Sequence, residues 1–108
     1  MPTIRDWHDF VVRSGTIVRA EPNDGARDPS YRLWIDFGDL GEKQSSARIT
    51  DLYAVEDLAG TQVIAVTGLD PIRVGGFRSD VLVLGVLTDA GVVLLRPDRR
   101  VAPGSEIA

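Results

Sequence analysis

The sequence predicts an all-β fold, a small closed barrel of about six short strands. Three observations carry that reading. Alternating or continuously apolar runs of strand length recur along the chain, corners rich in glycine and proline separate them, and one short helical pattern falls between the third and fourth runs. A chain of 108 residues is large enough for a single core and reads as one domain, 1–108. Its 44% hydrophobic content suits a folded chain rather than a disordered one.

Thr3-Ile4-Arg5-Asp6 has the form of a capping box with Asp in place of Glu or Gln. Ile4, Trp7, Phe10 and Val11 then share one face at helical spacing. A short N-terminal helix through Phe10 is expected, within an extension spanning 1–11. Residues 12–21 turn to a strand pattern, with Gly15 placed for a bulge or tight bend. Pro22-Asn23-Asp24-Gly25 is a strong turn signal. Tyr31, Leu33, Ile35 and Phe37 alternate with Arg32, Trp34 and Asp36, the mark of a half-buried strand. Gly38-Asp39-Leu40-Gly41 leads into a polar strand from Lys43.

Residues 51–58 read as a short helix closed by Gly60. The run at 62–69, apolar from Val63 to Val66, predicts a strand buried on both faces or in a barrel. Asp70-Pro71 breaks it, and Gly75-Gly76 makes a flexible corner. Residues 81–88 form another apolar strand, and Asp89-Ala90-Gly91 is a three-residue hairpin loop into the strand at 92–96. Pro97 ends that strand, leaving a C-terminal tail, 97–108, with a strand-like touch at Ile107. A helix after strand three is the arrangement of the OB-fold, a five-stranded Greek-key barrel that binds oligonucleotides on one face.

The polar strand is the place to look for a ligand. Nearly every side chain from Lys43 through Gln44, Ser45, Ser46 and Ala47 to Arg48 can donate a hydrogen bond. Successive side chains on a strand point to opposite faces, so such a run does not fit the inside of a two-layer core. Cationic and hydroxyl donors suit phosphate, and amide groups suit base edges. A solvated edge strand, polar to resist pairing with other sheets, has the same composition, and pattern alone leaves both readings open. Arg78 and Ser79 lie beside the double-glycine corner, where backbone can approach a ligand closely. Asp80 reads as structural. Arg32 joins the site if its face adjoins the polar strand, the alternative being a pairing with Asp36. Trp34 is either a platform for a base or a packed side chain under a loop or the N-terminal helix. Trp7 and Phe10 are expected to meet the barrel or a second subunit, and His8 to face solvent. Arg96, Arg99 and Arg100 read as a solvated loop.

Sixteen acidic and twelve basic residues give a net charge of −4. That argues mildly against an indiscriminate nucleic-acid binder. Placement matters more than the sum, because salt screens charges beyond roughly 8 Å. All the basic residues but Lys43 are arginine, which fits either bidentate phosphate recognition or codon usage. The absence of cysteine excludes thiol and cysteine-zinc chemistry. One histidine, scattered carboxylates and no phosphate loop leave no catalytic residue, metal or cofactor to expect. No apolar run approaches the ~20 residues of a membrane span, so no membrane insertion is expected. The polar N-terminus points to a cytoplasmic location.

Four stretches together resemble a known family: 13–21 (Arg-Ser-Gly-Thr-Ile-Val-Arg-Ala-Glu), 35–38 (Ile-Asp-Phe-Gly), 43–50 (Lys-Gln-Ser-Ser-Ala-Arg-Ile-Thr) and 76–85 (Gly-Phe-Arg-Ser-Asp-Val-Leu-Val-Leu-Gly). They look like the CsaA-type tRNA-binding domain, which is related to the C-terminal domain of methionyl-tRNA synthetases. The resemblance is collinear from about Val12 to the C-terminus. It implies an OB-fold homodimer with terminal extensions at the dimer contact, and tRNA binding as the activity. With the resemblance, the expected tRNA contact is Lys43, Gln44, Ser45, Ser46 and Arg78, with Arg48 added by this chain's own sequence and Arg32 by its place on the neighbouring strand. A chaperone role toward unfolded or export-bound polypeptides is the alternative it implies. The chain departs from the family pattern at Arg48, where Gln is usual. It departs again at 68–73, where Gly-Leu-Asp-Pro-Ile-Arg stands for the usual Asn-Phe-Pro-Pro-Lys-Arg; that corner is excluded from the expected contact.

Overall fold

A computed structural model describes residues 11–108. The expected N-terminal helix, with Trp7, His8 and Phe10, lies outside the described residues. Nine strands follow in order: β1 Val11–Pro22, β2 Tyr31–Asp36, β3 Glu42–Ala47, β4 Gln62–Thr67, β5 Ile72–Val74, β6 Phe77–Ser79, β7 Leu82–Val83, β8 Gly85–Thr88 and β9 Gly91–Leu94. The fold is all-β, with a curled antiparallel five-stranded sheet in the order β3-β2-β1-β4-β7. The hairpins β5–β6 and β8–β9 stand outside that sheet. No helix among the described residues is long and apolar enough to cross a membrane.

β1 is long because it serves two partners. Its first half pairs with β4, from Val11 opposite Thr67 to Thr16 opposite Gln62. Its second half pairs with β2, from Thr16 opposite Asp36 to Pro22 opposite Tyr31. Between Ile17 and Arg19 the β1–β2 register shifts by a bulge, which bends the strand and increases twist. The expected bulge at Gly15 is therefore three residues early. Gly15 answers a packing need instead: a Cβ there would lie 2.5 Å from Ile35 Cγ2 and 2.8 Å from Phe37 Cε1. The curl is held at its edges by hydrogen bonds from the segment between β6 and β7 to β3. Asp80 N–H donates to the Gln44 carbonyl at 2.8 Å. Ser45 Oγ donates to the Val81 carbonyl at 3.0 Å, and Ser46 N–H to Ser79 Oγ at 3.1 Å.

The core inside the curl contains Ile17, Leu33, Ile35, Phe37, Ile49, Leu58, Val63 and Leu94. The expected helix at 51–58 is absent, replaced by one 3-10 turn at Val55–Asp57. No α-helix occurs among the described residues. Tertiary bonds override the local pattern there. Tyr31 Oη donates to the Tyr53 carbonyl at 2.7 Å, and Leu94 N–H donates to Tyr53 Oη at 2.9 Å. Ala54 is extended, with ψ 140°. A segment this short has too little helical stability to resist such anchors.

The strand expected at 81–88 is broken into β7 and β8, with Leu84 between them turned onto Ile64 and Leu95 by backbone bonds of 2.9 and 3.1 Å. Strand β8 then leaves the sheet with every residue exposed, so its apolar run is not a buried strand. The β8–β9 loop is two residues rather than three, because Gly91 pairs with Thr88. Gly75 and Gly76, at φ 60° and 78°, make a tight two-residue turn between β5 and β6. The tail straps β1: Ser14 N–H donates to the Ser105 carbonyl and Ile107 N–H to the Val12 carbonyl, at 2.9 and 3.1 Å.

Candidate nucleic-acid interface

Register decides which polar side chains can act together. Opposite one another across β2–β3 stand Leu33 and Ser45, Ile35 and Lys43, Tyr31 and Ala47. Leu33 and Ile35 are fully buried, so this parity faces the core. Arg32 opposite Ser46, and Trp34 opposite Gln44, take the outer face. The run from Lys43 to Arg48 is therefore split between two surfaces.

Ser45 is a correction to the expected contact. Its side chain is 0% exposed, and its hydroxyl is spent on the Val81 carbonyl. A serine serves here because the hydroxyl satisfies a carbonyl where β3 meets the segment before β7. Lys43 has the same parity, at the far end of the strand and half-buried; it makes no ion pair among the described residues.

The outer face brings together Arg32, Gln44 and Ser46, with Arg78 from β6. Gln44 Nε2 donates to the Arg78 carbonyl at 2.8 Å. Arg78 Nε holds Asp80 Oδ1 at 2.6 Å, while Gln44 N–H reaches Asp80 Oδ2 at 3.4 Å. Asp80 thus has the structural role expected of it. Arg48 lies past the end of β3 and holds Asp28 at 3.1 Å. Both partners are largely exposed, 73% and 60%. An exposed pair of this kind is worth about 0–1 kcal/mol, so a phosphate could draw Arg48 away at little cost.

Asn23 was legible only as a turn residue, yet it organises this face. It is nearly fully buried, and its Oδ1 accepts from Arg32 Nε at 3.1 Å. Its Nδ2 donates to the Val74 carbonyl at 3.0 Å and to Ser46 Oγ at 3.4 Å. The amide thereby ties the turn after β1, strand β2, strand β3 and the β5–β6 hairpin to one another. Arg32 pairs with Asn23 rather than Asp36, whose carboxylate accepts from Gly38 N–H at 2.8 Å.

Phe77 is the second group not singled out in advance. Its ring meets Trp34 edge-on at 5.4 Å, and the Arg32 guanidinium lies 5.1 Å from its centroid. Trp34 also carries the Arg19 guanidinium 3.7 Å from its ring centre. Of the two readings for Trp34, packing describes the observed state: one neighbour is Phe77 and another Arg19. At the excluded 68–73 corner, Ile72 is exposed and Arg73 Nη1 donates back to the Gly76 carbonyl at 3.1 Å. Arg100 donates to the Gly60 carbonyl at 3.0 Å.

Beside β3 lies a groove of about 710 Å³ whose lining includes Ile72, Leu82, Leu87 and Val92 together with Arg27 and Arg48. Leu87 is 86% exposed.

Residues 12–106 match the model of the family described as "Putative tRNA binding domain". The methionine–tRNA ligase of Methanothrix thermoacetophila is 35% identical over 96 residues, which is 89% of this chain and 14% of that protein. This chain therefore spans about a seventh of the length of that relative. Among solved structures, the chaperone CsaA of Bacillus anthracis is 48% identical, with a TM-score of 0.92 over 100% of this chain and 99% of that one. The CsaA chaperone protein of Picrophilus torridus is 41% identical, with a TM-score of 0.94 and full coverage of both.

Proposed function

The chain belongs to the tRNA-binding domain family, and from that premise we propose that it binds tRNA through the outer face of an OB-type barrel. Arg32, Gln44, Ser46 and Arg78 form the centre of that face, with Arg48 at its edge, while Lys43 stands on the other parity at the far end of β3. The single observation that carries the reading is Asn23, whose amide holds Arg32 and the Ser46 hydroxyl together. Arginines and a hydroxyl supply phosphate contacts, and the Gln44 amide supplies a base-edge partner once it leaves the Arg78 carbonyl. Recognition of this kind reads exposed bases and backbone rather than a duplex sequence. It is the work of a binding module, not of a catalyst, and its place is the cytoplasm, where tRNA is. A homodimer completes the proposal.

A filter-binding titration with bulk tRNA at two salt concentrations tests it. Affinity should fall steeply as salt rises, since each phosphate contact releases counterions. Failure to bind at low salt would sink the reading.

A second reading is favoured by the apolar groove beside β3: a chaperone that holds unfolded polypeptide. Suppression of the aggregation of an unfolded client, undiminished by added tRNA, would select that reading. Competition by tRNA would place both ligands on overlapping surfaces.

A further inference from the structure

We propose that Arg19 is a stacking platform for an unpaired RNA base, set on Trp34 by the bulge in β1. The inference rests on the tRNA reading and extends it to a residue outside the expected contact. Ile17, fully buried, stands opposite core-facing Ile35. Two residues on, Arg19 stands opposite outward-facing Trp34, because the bulge advances β1 by two residues while β2 advances by one. In a regular strand Ile17 and Arg19 would share a face, and the arginine would point at the core. Bulges re-aim side chains, and this one delivers a cation to the aromatic face.

One face of the guanidinium is covered by Trp34 and its Nε edge faces Glu21, while the opposite face is open. The Arg19 Cζ atom lies 3.7 Å from the Trp34 ring centre. That is van der Waals contact with little sideways offset. One side of the guanidinium therefore rests on the indole. Its Nε edge is 3.5 Å from Glu21 Oε2, and the Arg19 side chain remains 59% exposed. A phosphate approaching that edge would compete with the Glu21 carboxylate. A base stacking on the open side would not. Guanidinium planes stack on aromatic rings on both sides and are weakly hydrated, whereas an ammonium is a compact, strongly hydrated charge. Trp34 edge-packs on Phe77, and Phe77 carries Arg32, so the platform is continuous with the centre of the proposed interface.

The test uses Arg19→Lys and Arg19→Ala in the full chain, with bulk tRNA at two salt concentrations and thermal unfolding beside it. Loss of one stacked base weakens binding by about 5- to 150-fold. Both variants should show that loss with the salt slope unchanged and the melting temperature held. In a Trp7→Phe background, where Trp34 is the one indole left, a short single-stranded RNA should change the Trp34 emission. Arg19→Lys should abolish that change. If Arg19→Lys binds as the parent while Arg19→Ala loses about one unit of salt slope, Arg19 holds a phosphate and the stacking proposal is overturned. Parental affinity in both variants overturns it as well. So does a loss matched by a lower melting temperature with no RNA response of Trp34 in the parent, which would make Arg19 a cover for the indole. A parent that binds no tRNA at low salt refutes the tRNA reading itself, a result distinct from all of these.

Discussion

Replacing Ser45 by alanine should lower stability and spare tRNA binding, and replacing Ser46 should do the reverse. The two residues are neighbours in β3 with similar chemistry, so only the parity of the strand separates them. Ser45 Oγ is fully buried and donates to the Val81 carbonyl at 3.0 Å. A neutral hydrogen bond of this kind contributes about 0.5–1.5 kcal/mol net. The carbonyl keeps a longer bond from Ser79 Oγ at 3.4 Å, so it is not orphaned and the cost stays near ~1 kcal/mol. For a domain of this size that is a drop in Tm of about 4–8 °C. Ser46 Oγ has only long contacts, 3.4 Å each to Asn23 and Ser30. Ser46→Ala should therefore change stability by no more than about 0.5 kcal/mol, while weakening tRNA binding several-fold. Thermal melts followed by circular dichroism and filter binding on the same samples measure both quantities. Weakened binding with an unchanged Tm in Ser45→Ala would refute the assignment of faces.

Asp28→Asn frees Arg48 from its exposed ion pair and should raise tRNA affinity by up to about fivefold with little change in Tm; reduced affinity would show that Arg48 needs that carboxylate to be positioned. Gly75→Ala should destabilise the chain by more than ~1 kcal/mol, because φ is 60° and the new Cβ would run into the backbone of Gly25 and Ala26; an unchanged melt would mean the two loops separate freely. Truncation after Arg100 should cost at least about 2 kcal/mol, since it removes the paired Gln62–Val101 bonds of 2.6 and 3.0 Å and the strap along β1; denaturant unfolding measures it, and an unchanged midpoint would deny the strap any role.

Strands at 12–21, 31–37 and 62–69 were legible from an alternating or apolar pattern next to a turn signal, whereas the run at 81–88 splits into β7 and β8. The turn at 22–25 bounded the strands around it correctly, whereas the short strands β5 and β6 on either side of Gly75-Gly76 were not anticipated. What failed was decided by long-range partners. Tyr53 is pulled out of a helix by hydrogen bonds to Tyr31 and Leu94, each remote in sequence. Ser45 was grouped with a surface run because nothing local says that a serine will satisfy a carbonyl at position 81. The bulge fell at Val18 rather than Gly15, two residues past Thr16, where β1 passes from β4 to β2 as its partner. Within the candidate site, Arg32, Gln44, Ser46 and Arg78 do converge. Asn23 and Phe77 escaped notice because a turn asparagine and a strand phenylalanine have common structural uses, and only the assembled fold sets them beside Arg32.

The most direct test of the central claim is the salt dependence of tRNA binding by Arg32→Ala/Arg48→Ala/Arg78→Ala beside the parent chain. If the outer face of β2, β3 and β6 holds phosphates, the variant binds more weakly and its log–log salt slope falls by about two to three units, one for each lost contact. A variant that binds tRNA with the parent's affinity and slope would place the nucleic acid on another surface and contradict the account.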